Sequence, residues 1–142
     1  MGHLGAPIFE ELAADECRLL LGSQALGRVG VSVSGLPAVL PVNYAVAGDR
    51  IVFRTAPGTK LDAATAGAVV AFEVDDYDVD RHEGWSVMVR GMSREITDPD
   101  DLAAARALRL ASWALGKSAD RYVAIDTAVM TGRRVRRPSP VR

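Results

Sequence analysis

Two cations and two hydroxyls fall within one short stretch of the chain, RTAPGTKL over residues 54–61. Arg54 and Thr55 end a run of strand-forming residues, a Pro-Gly turn follows, and Lys60 opens a short Ala-rich segment. An arginine fork, a lysine ammonium and the unpaired N–H groups at a helix start all bind phosphate oxygens well. The stretch therefore predicts an anion site, and the alternative is a pair of surface charges beside an ordinary turn.

Other motifs that carry chemistry are incomplete in this sequence. The GTK triplet at 58–60 lacks both the earlier glycine and the following Ser or Thr of a phosphate loop, and no G-x-G-x-x-G fingerprint follows a strand. Cys17 has no neighbouring histidine to activate it as a nucleophile. His3 and His82 are too far apart for metal-ligand spacing, and the acidic stretch 75–83 lacks the residue order of an EF-hand. We therefore expect neither a hydrolase nor a metal site.

Three further stretches carry recognisable motifs: LGRVG at 26–30, PVNY at 41–44 and GWSVMVRG at 84–91. Together with residues 54–61, and in this order and spacing, they resemble the pyridoxamine 5'-phosphate oxidase-like family of FMN-binding split β-barrels. The resemblance covers roughly residues 9–134. Within it, the 54–61 stretch is similar to the segment that binds the FMN phosphate, and PVNY is similar to the strand that runs beside the flavin ring.

The resemblance implies a homodimer that holds FMN at the interface between its subunits. It also implies the residues that contact the flavin: the phosphate would be bound by Arg54, Thr55 and Lys60, the isoalloxazine would face the backbone of Pro41, Val42, Asn43 and Tyr44, and Trp85 and Ser86 would approach from the partner subunit or line the rim of the pocket. The side chain of Asn43 could bond the flavin edge or belong to a strand-end bulge. Trp113 could pack a helix or touch the flavin.

The function implied by the resemblance is that of an FMN-dependent oxidoreductase that acts on a small molecule by hydride transfer at the flavin N5, with the cofactor supplying the chemistry. No side chain stands out as a catalytic acid or base, and the substrate-phosphate residues of the true oxidases are not found. One alternative is a non-catalytic protein that binds or sequesters a flavin, a deazaflavin or haem. Another is an interaction module whose arginine-rich end binds an acidic partner.

These residues must be positioned by a strand-rich chain. Two-residue turns at Ser34-Gly35 and Gly48-Asp49 join early strands, and the absence of alternating βα units disfavours a doubly wound fold. We expect a mainly β fold, an antiparallel, Greek-key-like split barrel with flanking helices. The patterns predict helices at 8–21, 60–66 and 98–115, strands at 27–33, 37–46, 50–55, 68–74, 85–94 and 122–130, an acidic loop at 75–83, and an end that trails off over 131–142.

Length and charge narrow the class of protein. The chain has 142 residues and a formal net charge of -1, which predicts one domain and argues against a general nucleic-acid binder. We expect the ends, 1–7 and 135–142, to be flexible. A single cysteine fits a reducing compartment, and no apolar run approaches the ~20 residues of a membrane span. With no signal peptide apparent, we expect a cytoplasmic protein.

Overall fold

The computed structural model describes residues 4–111 and 120–138, and in this part of the chain the fold is mostly β with three short helices. None of these helices has the length and hydropathy needed to cross a membrane. The elements in chain order are β1 (Ile8–Glu11), α1 (Ala14–Leu21), β2 (Leu26–Val33), β3 (Leu36–Ala47), β4 (Arg50–Thr55), α2 (Lys60–Ala64), β5 (Ala68–Asp78), β6 (Glu83–Glu95), α3 (Pro99–Ala107), β7 (Arg121–Asp126) and β8 (Val129–Arg136).

Six antiparallel strands close into a barrel in the order β6-β5-β2-β3-β4-β7, and pairing of β6 with β7 completes the ring. Strand β6 changes its partner along its length. Its first half pairs with β8 from Gly84 to Arg90, and its last three residues pair with β7. Strand β1 extends the sheet beyond β8. The predicted split β-barrel is therefore confirmed, with β8 and β1 forming a wing on the side of the barrel.

The barrel interior is filled by alternate residues of its strands, as the period of two in a half-buried strand requires. Phe53, Phe72 and Val89 are fully buried there. Gly27 faces the ring of Phe72 so closely that a Cβ at this position would lie 2.2 Å from the Phe72 Cζ. The glycine is therefore required by packing, because any side chain would occupy the space of the ring.

Two predictions at the ends of the chain are wrong for a single reason. The predicted helix at 8–21 is divided into β1 and the shorter α1, and the segment 131–142, which we expected to trail off, forms β8 through Arg136. Strand β1 pairs with β8 from Ile8↔Arg136 to Glu11↔Arg133. This ladder joins the two ends of the chain, so β1 is a strand because β8 lies beside it, while β8 is held by β1 on one side and by β6 on the other.

Two further boundaries differ from the sequence prediction. The expected strand at 122–130 is two strands, because Asp126 accepts a hydrogen bond from the backbone N–H of Ala128 and the Thr127 hydroxyl donates to the Asp49 carbonyl, so the chain turns there. The expected acidic loop at 75–83 is mostly strand, since β5 continues to Asp78 and β6 begins at Glu83 in an unbroken hairpin ladder.

Helix α3 begins where predicted, and the Asp98 side chain caps it by accepting from the backbone N–H of Asp101 at 3.1 Å. It ends at Ala107, before the predicted end, and Arg109 has a positive φ of 52°. Residues 112–115 of the predicted helix, including Trp113, lie outside the described residues. The helix covers a second, smaller core on the outside of the barrel, formed by Val52, Ile96, Ala105, Tyr122 and Ala124.

Candidate functional site

The stretch predicted to bind an anion lies where the barrel splits. Strands β3 and β4 pair from Ala47↔Arg50 to Tyr44↔Phe53 and no further, while the end of β4 pairs only with β7. We call residues 55–60, from the last residue of β4 to the first residue of α2, the 55–60 turn. This turn leaves the sheet beside a part of β3 whose edge is not covered by β4. This uncovered edge is formed by Pro41, Val42 and Asn43, so the structure places the two predicted segments side by side.

A buried carboxylate organises the 55–60 turn. Asp62 is 8% exposed. One of its oxygens accepts from the Thr55 hydroxyl at 2.9 Å, and the other accepts from the backbone N–H of Gly58 at 3.2 Å and from Arg121 Nη1 at 2.7 Å. The hydroxyl of Thr55 is fully buried and donates to Asp62.

Neither Asp62 nor Arg121 was identified from the sequence. The spacing of Thr59 and Asp62 could have identified the carboxylate, because it matches a capping box and the Thr59 hydroxyl does accept from the Asp62 N–H. No local signal points to Arg121, which reaches the turn from β7.

The two predicted phosphate cations have different surroundings. Arg54 is half-buried, donates from Nη1 to the Leu110 carbonyl at 2.9 Å, and has its guanidinium carbon 5.7 Å from the centre of the Tyr122 ring. Lys60 is exposed, and none of the described carboxylates forms an ion pair with it. Arg54 therefore also anchors the chain that follows α3, while Lys60 remains available to a ligand at the turn.

The PVNY stretch divides between the core and the surface. Val42 and Tyr44 are buried, and the Tyr44 hydroxyl donates to the Leu21 carbonyl. Burial raises the pKa of Tyr44 to about 12, so the phenol stays neutral and acts in packing. Pro41 and Asn43 are half-buried, and the Asn43 amide donates to the Ala25 carbonyl at 3.3 Å. The contact of this stretch with a flavin stays a prediction.

Trp85 and Ser86 line a cleft of about 810 Å³ between the β5–β6 hairpin and the wing. Its walls include two exposed aromatic side chains, Phe9 and Tyr77. Arg137 also lines it, and its Nε is buried with no hydrogen-bond partner among the described residues. A cleft of this size, with aromatic walls and an unpaired donor, fits a small planar ligand with an acceptor group.

Within one subunit, this cleft lies far from the 55–60 turn. Strands β2 and β5 separate β3 from β6. Three interstrand spacings, roughly 14 Å in all, therefore lie between the strand of Pro41 and the strand of Trp85. The 55–60 turn lies beyond the far edge of β3. The predicted contacts thus form two groups, one at the turn with the edge of β3 and one in the cleft.

The outer face of β3, β2, β5 and β6, which lies between these two groups, carries exposed apolar residues. Val39 is 69% exposed and Val69 is 71% exposed. They lie around Gly30 and Ala71, and a Cβ added to Gly30 would be 3.5 Å from the Ala71 Cβ. Such an apolar patch is typical of an interaction surface. It continues into a polar part formed by Arg28 and Glu73.

His82 lies in the turn between β5 and β6 with a positive φ of 55° and lines the cleft. Among residues 4–111 and 120–138, no group of three histidine, cysteine, aspartate or glutamate side chains is placed to hold a metal ion.

Residues 13–134 match the family described as pyridoxamine 5'-phosphate oxidase. The chain belongs to this family. It is 40% identical over 130 residues to the uncharacterized protein Rv0080 of Mycobacterium tuberculosis, a match that covers 88% of this chain and 84% of the relative.

Solved structures that share the split barrel of this chain include two proteins named for FAD binding. The FAD binding protein from Mycobacterium smegmatis superposes with a TM-score of 0.76 and 42% identity, covering 89% of this chain and 97% of that one. A FAD-binding protein from Mesorhizobium loti has a TM-score of 0.74 and 25% identity, covering 92% of this chain and 98% of that one.

Proposed function

We propose that this protein is a flavin-dependent oxidoreductase that works as a homodimer, with FMN bound between the subunits. The observation that carries the proposal is the position of the 55–60 turn with Lys60 beside the uncovered edge of β3, in a member of a family whose relatives include proteins named for flavin binding. A cation beside free backbone groups suits a ligand that combines a phosphate with a polar ring edge.

The described residues fit a flavin in their chemistry. Lys60 and Arg54 supply positive charge for the phosphate, and the backbone of Pro41, Val42 and Asn43 offers hydrogen-bonding groups at an open strand edge. In the cleft, Trp85 supplies an apolar wall that keeps water from a ring packed against it. When bound, the flavin would supply hydride transfer through its N5 atom, while the protein binds it, orients it and leaves one face open to a small-molecule substrate.

The separation of the two groups of predicted contacts supports the proposed homodimer. Because the cleft and the 55–60 turn lie on opposite sides of the outer sheet face, a second subunit packed on that face could bring its cleft to the turn of the first. The exposed Val39 and Val69 give this face the apolar character expected of an interface centre. A two-fold arrangement would then form two equivalent sites.

The choice between FMN and FAD is a separate part of the proposal. The M. smegmatis relative is named for FAD binding, and FAD contains the ring and first phosphate of FMN. The 55–60 turn would therefore accept either flavin. Denaturing the purified protein and separating the released flavin by chromatography identifies which of the two is bound, and a haem absorbance band in place of a flavin band would contradict the proposal.

Turnover is tested with the flavin-loaded protein mixed anaerobically with NADH, NADPH and a reduced deazaflavin in turn. We expect at least one of them to bleach the flavin band faster than it bleaches free FMN. If none does, the second candidate function, a flavin-binding protein without turnover, replaces the first. The name of the M. smegmatis relative, which refers to binding, favours this second candidate.

A further inference from the structure

The carboxylate of Asp62 lies directly under the turn proposed to receive a phosphate. It accepts hydrogen bonds from Thr55 and Gly58, so it lies within hydrogen-bond distance of two of the six residues of that turn. Taken alone, a buried negative charge at this position would repel a phosphate dianion, and the repulsion would be strong because the side chain is largely shielded from water.

Arg121 compensates this charge. Its Nη1 lies 2.7 Å from the Asp62 carboxylate, while its Nε lies 3.6 Å from the Glu95 carboxylate. The position is set by the sheet, since Arg121 pairs directly with Thr55 in the β4–β7 ladder. The first residue of β7 therefore brings a guanidinium to the last residue of β4, where the turn begins.

We propose that Asp62 and Arg121 are a charge-compensated pair of positioning residues that allows the 55–60 turn to accept the phosphate of a flavin. Asp62 fixes the hydroxyl of Thr55 and the N–H of Gly58. Arg121 lies closer to Asp62 than to the more exposed Glu95, so it offsets the Asp62 charge beside the turn and leaves the charge of Lys60 available to the ligand. The inference rests on the proposed function, because it concerns the phosphate of the same cofactor.

The experiment compares two probes, FMN and riboflavin, which differ only in the phosphate. Calorimetric titration of flavin-free protein gives both affinities for the parent, Arg121→Gln, and the double variant Asp62→Asn/Arg121→Gln. We expect Arg121→Gln to lose roughly tenfold more affinity for FMN than for riboflavin. The double variant removes the uncompensated carboxylate and should recover part of the FMN preference, because the amide keeps only one acceptor oxygen for the turn.

Arg50→Gln is the matched control. Arg50 lies at the opposite end of the β4–β7 ladder from Arg121, is similarly exposed and forms an ion pair with Asp101 at 3.9 Å. This control removes one positive charge far from the turn and should leave the preference for FMN over riboflavin unchanged. A similar loss in this control would show that total charge, and not the pair, sets the preference, which would overturn the inference.

The outcomes separate this inference from the proposed function. A parent protein without preference for FMN over riboflavin overturns the phosphate site itself and the role of the pair with it. A parent preference that persists in Arg121→Gln, or an equal loss of both ligands, overturns only the pair. If Arg121→Gln does not fold, Arg121→Lys decides, since a folded variant that keeps a positive charge beside Asp62 but selectively loses FMN contradicts the inference.

Discussion

Glu73 on β5 accepts a hydrogen bond from Arg28 on β2 at 3.4 Å, across the outer face of the sheet. Burial of the carboxyl, together with the hydrogen bond and charge of Asp75, raises the pKa of Glu73 to about 7, although Arg28 acts in the opposite direction. The folded protein therefore binds a proton here more tightly than the unfolded chain does.

The sign of the resulting pH dependence follows from this shift. The stability contributed by Glu73 is fully present below its ordinary pKa of 4.5 and is lost as the pH rises through about 7. In the parent, the free energy of unfolding should fall between pH 5 and 8 as Glu73 loses its proton. We expect this fall to be smaller by about 1 kcal/mol in Glu73→Gln, a value that allows for solvent screening of this partly exposed group. Urea unfolding across that pH range measures the difference, with Glu11→Gln as the control. If the free energy of unfolding of Glu73→Gln changed with pH as it does in the parent, the raised pKa of Glu73 would be contradicted.

Gly27→Ala should destabilise the barrel, because the added Cβ would lie 2.2 Å from the Cζ of the fully buried Phe72. We expect a loss of about 1–3 kcal/mol in the free energy of unfolding, as for other overpacked cores. Gly30→Ala on the same strand is the control, since its Cβ would lie 3.5 Å from the Ala71 Cβ in ordinary contact. Equal urea midpoints for the two variants would show that the Phe72 ring can move aside.

Local signals in the sequence were sufficient for the elements that depend on neighbouring residues. Strand β4 was predicted with its observed bounds, and Asp98 caps α3 as expected. The wing was missed because its ladder joins Ile8 to Arg136, residues at opposite ends of the chain. A segment whose strand conformation depends on so distant a partner carries little local evidence of it.

The candidate site divides in the same way. Lys60 and the edge of β3 could be predicted from motifs that lie close together in the sequence. Arg121 could not, because it reaches Asp62 only after the barrel closes through the pairing of β4 with β7. The burial of Thr55 follows from that closure as well.

Lys60→Ala should weaken FMN binding by roughly 1.5–3 kcal/mol, the contribution of one charge-assisted hydrogen bond to a phosphate. Its effect on stability should be small, because the side chain is exposed and forms no ion pair with the described carboxylates. Arg54→Ala is less informative, since it would also remove the bond to the Leu110 carbonyl. Calorimetric titration with FMN measures the change, and Arg106→Ala, at an exposed position of α3, is the control. A dissociation constant of Lys60→Ala within twofold of the parent would exclude Lys60 from the site.

Val39→Asp should separate the proposed dimer, because it places a charge in the apolar centre of the outer sheet face, where burial without a partner is costly. We expect at least a tenfold weaker dimer in sedimentation experiments at micromolar protein, together with weaker flavin binding, since the site would lose the cleft of the partner. Leu19→Asp on α1 is the matched control: Leu19 is 76% exposed and Val39 is 69% exposed, but Leu19 lies away from that face. A Val39→Asp protein that remains dimeric and binds flavin like the parent would show that this face is not the interface, and a monomeric parent with tightly bound flavin would show that one subunit holds the cofactor alone.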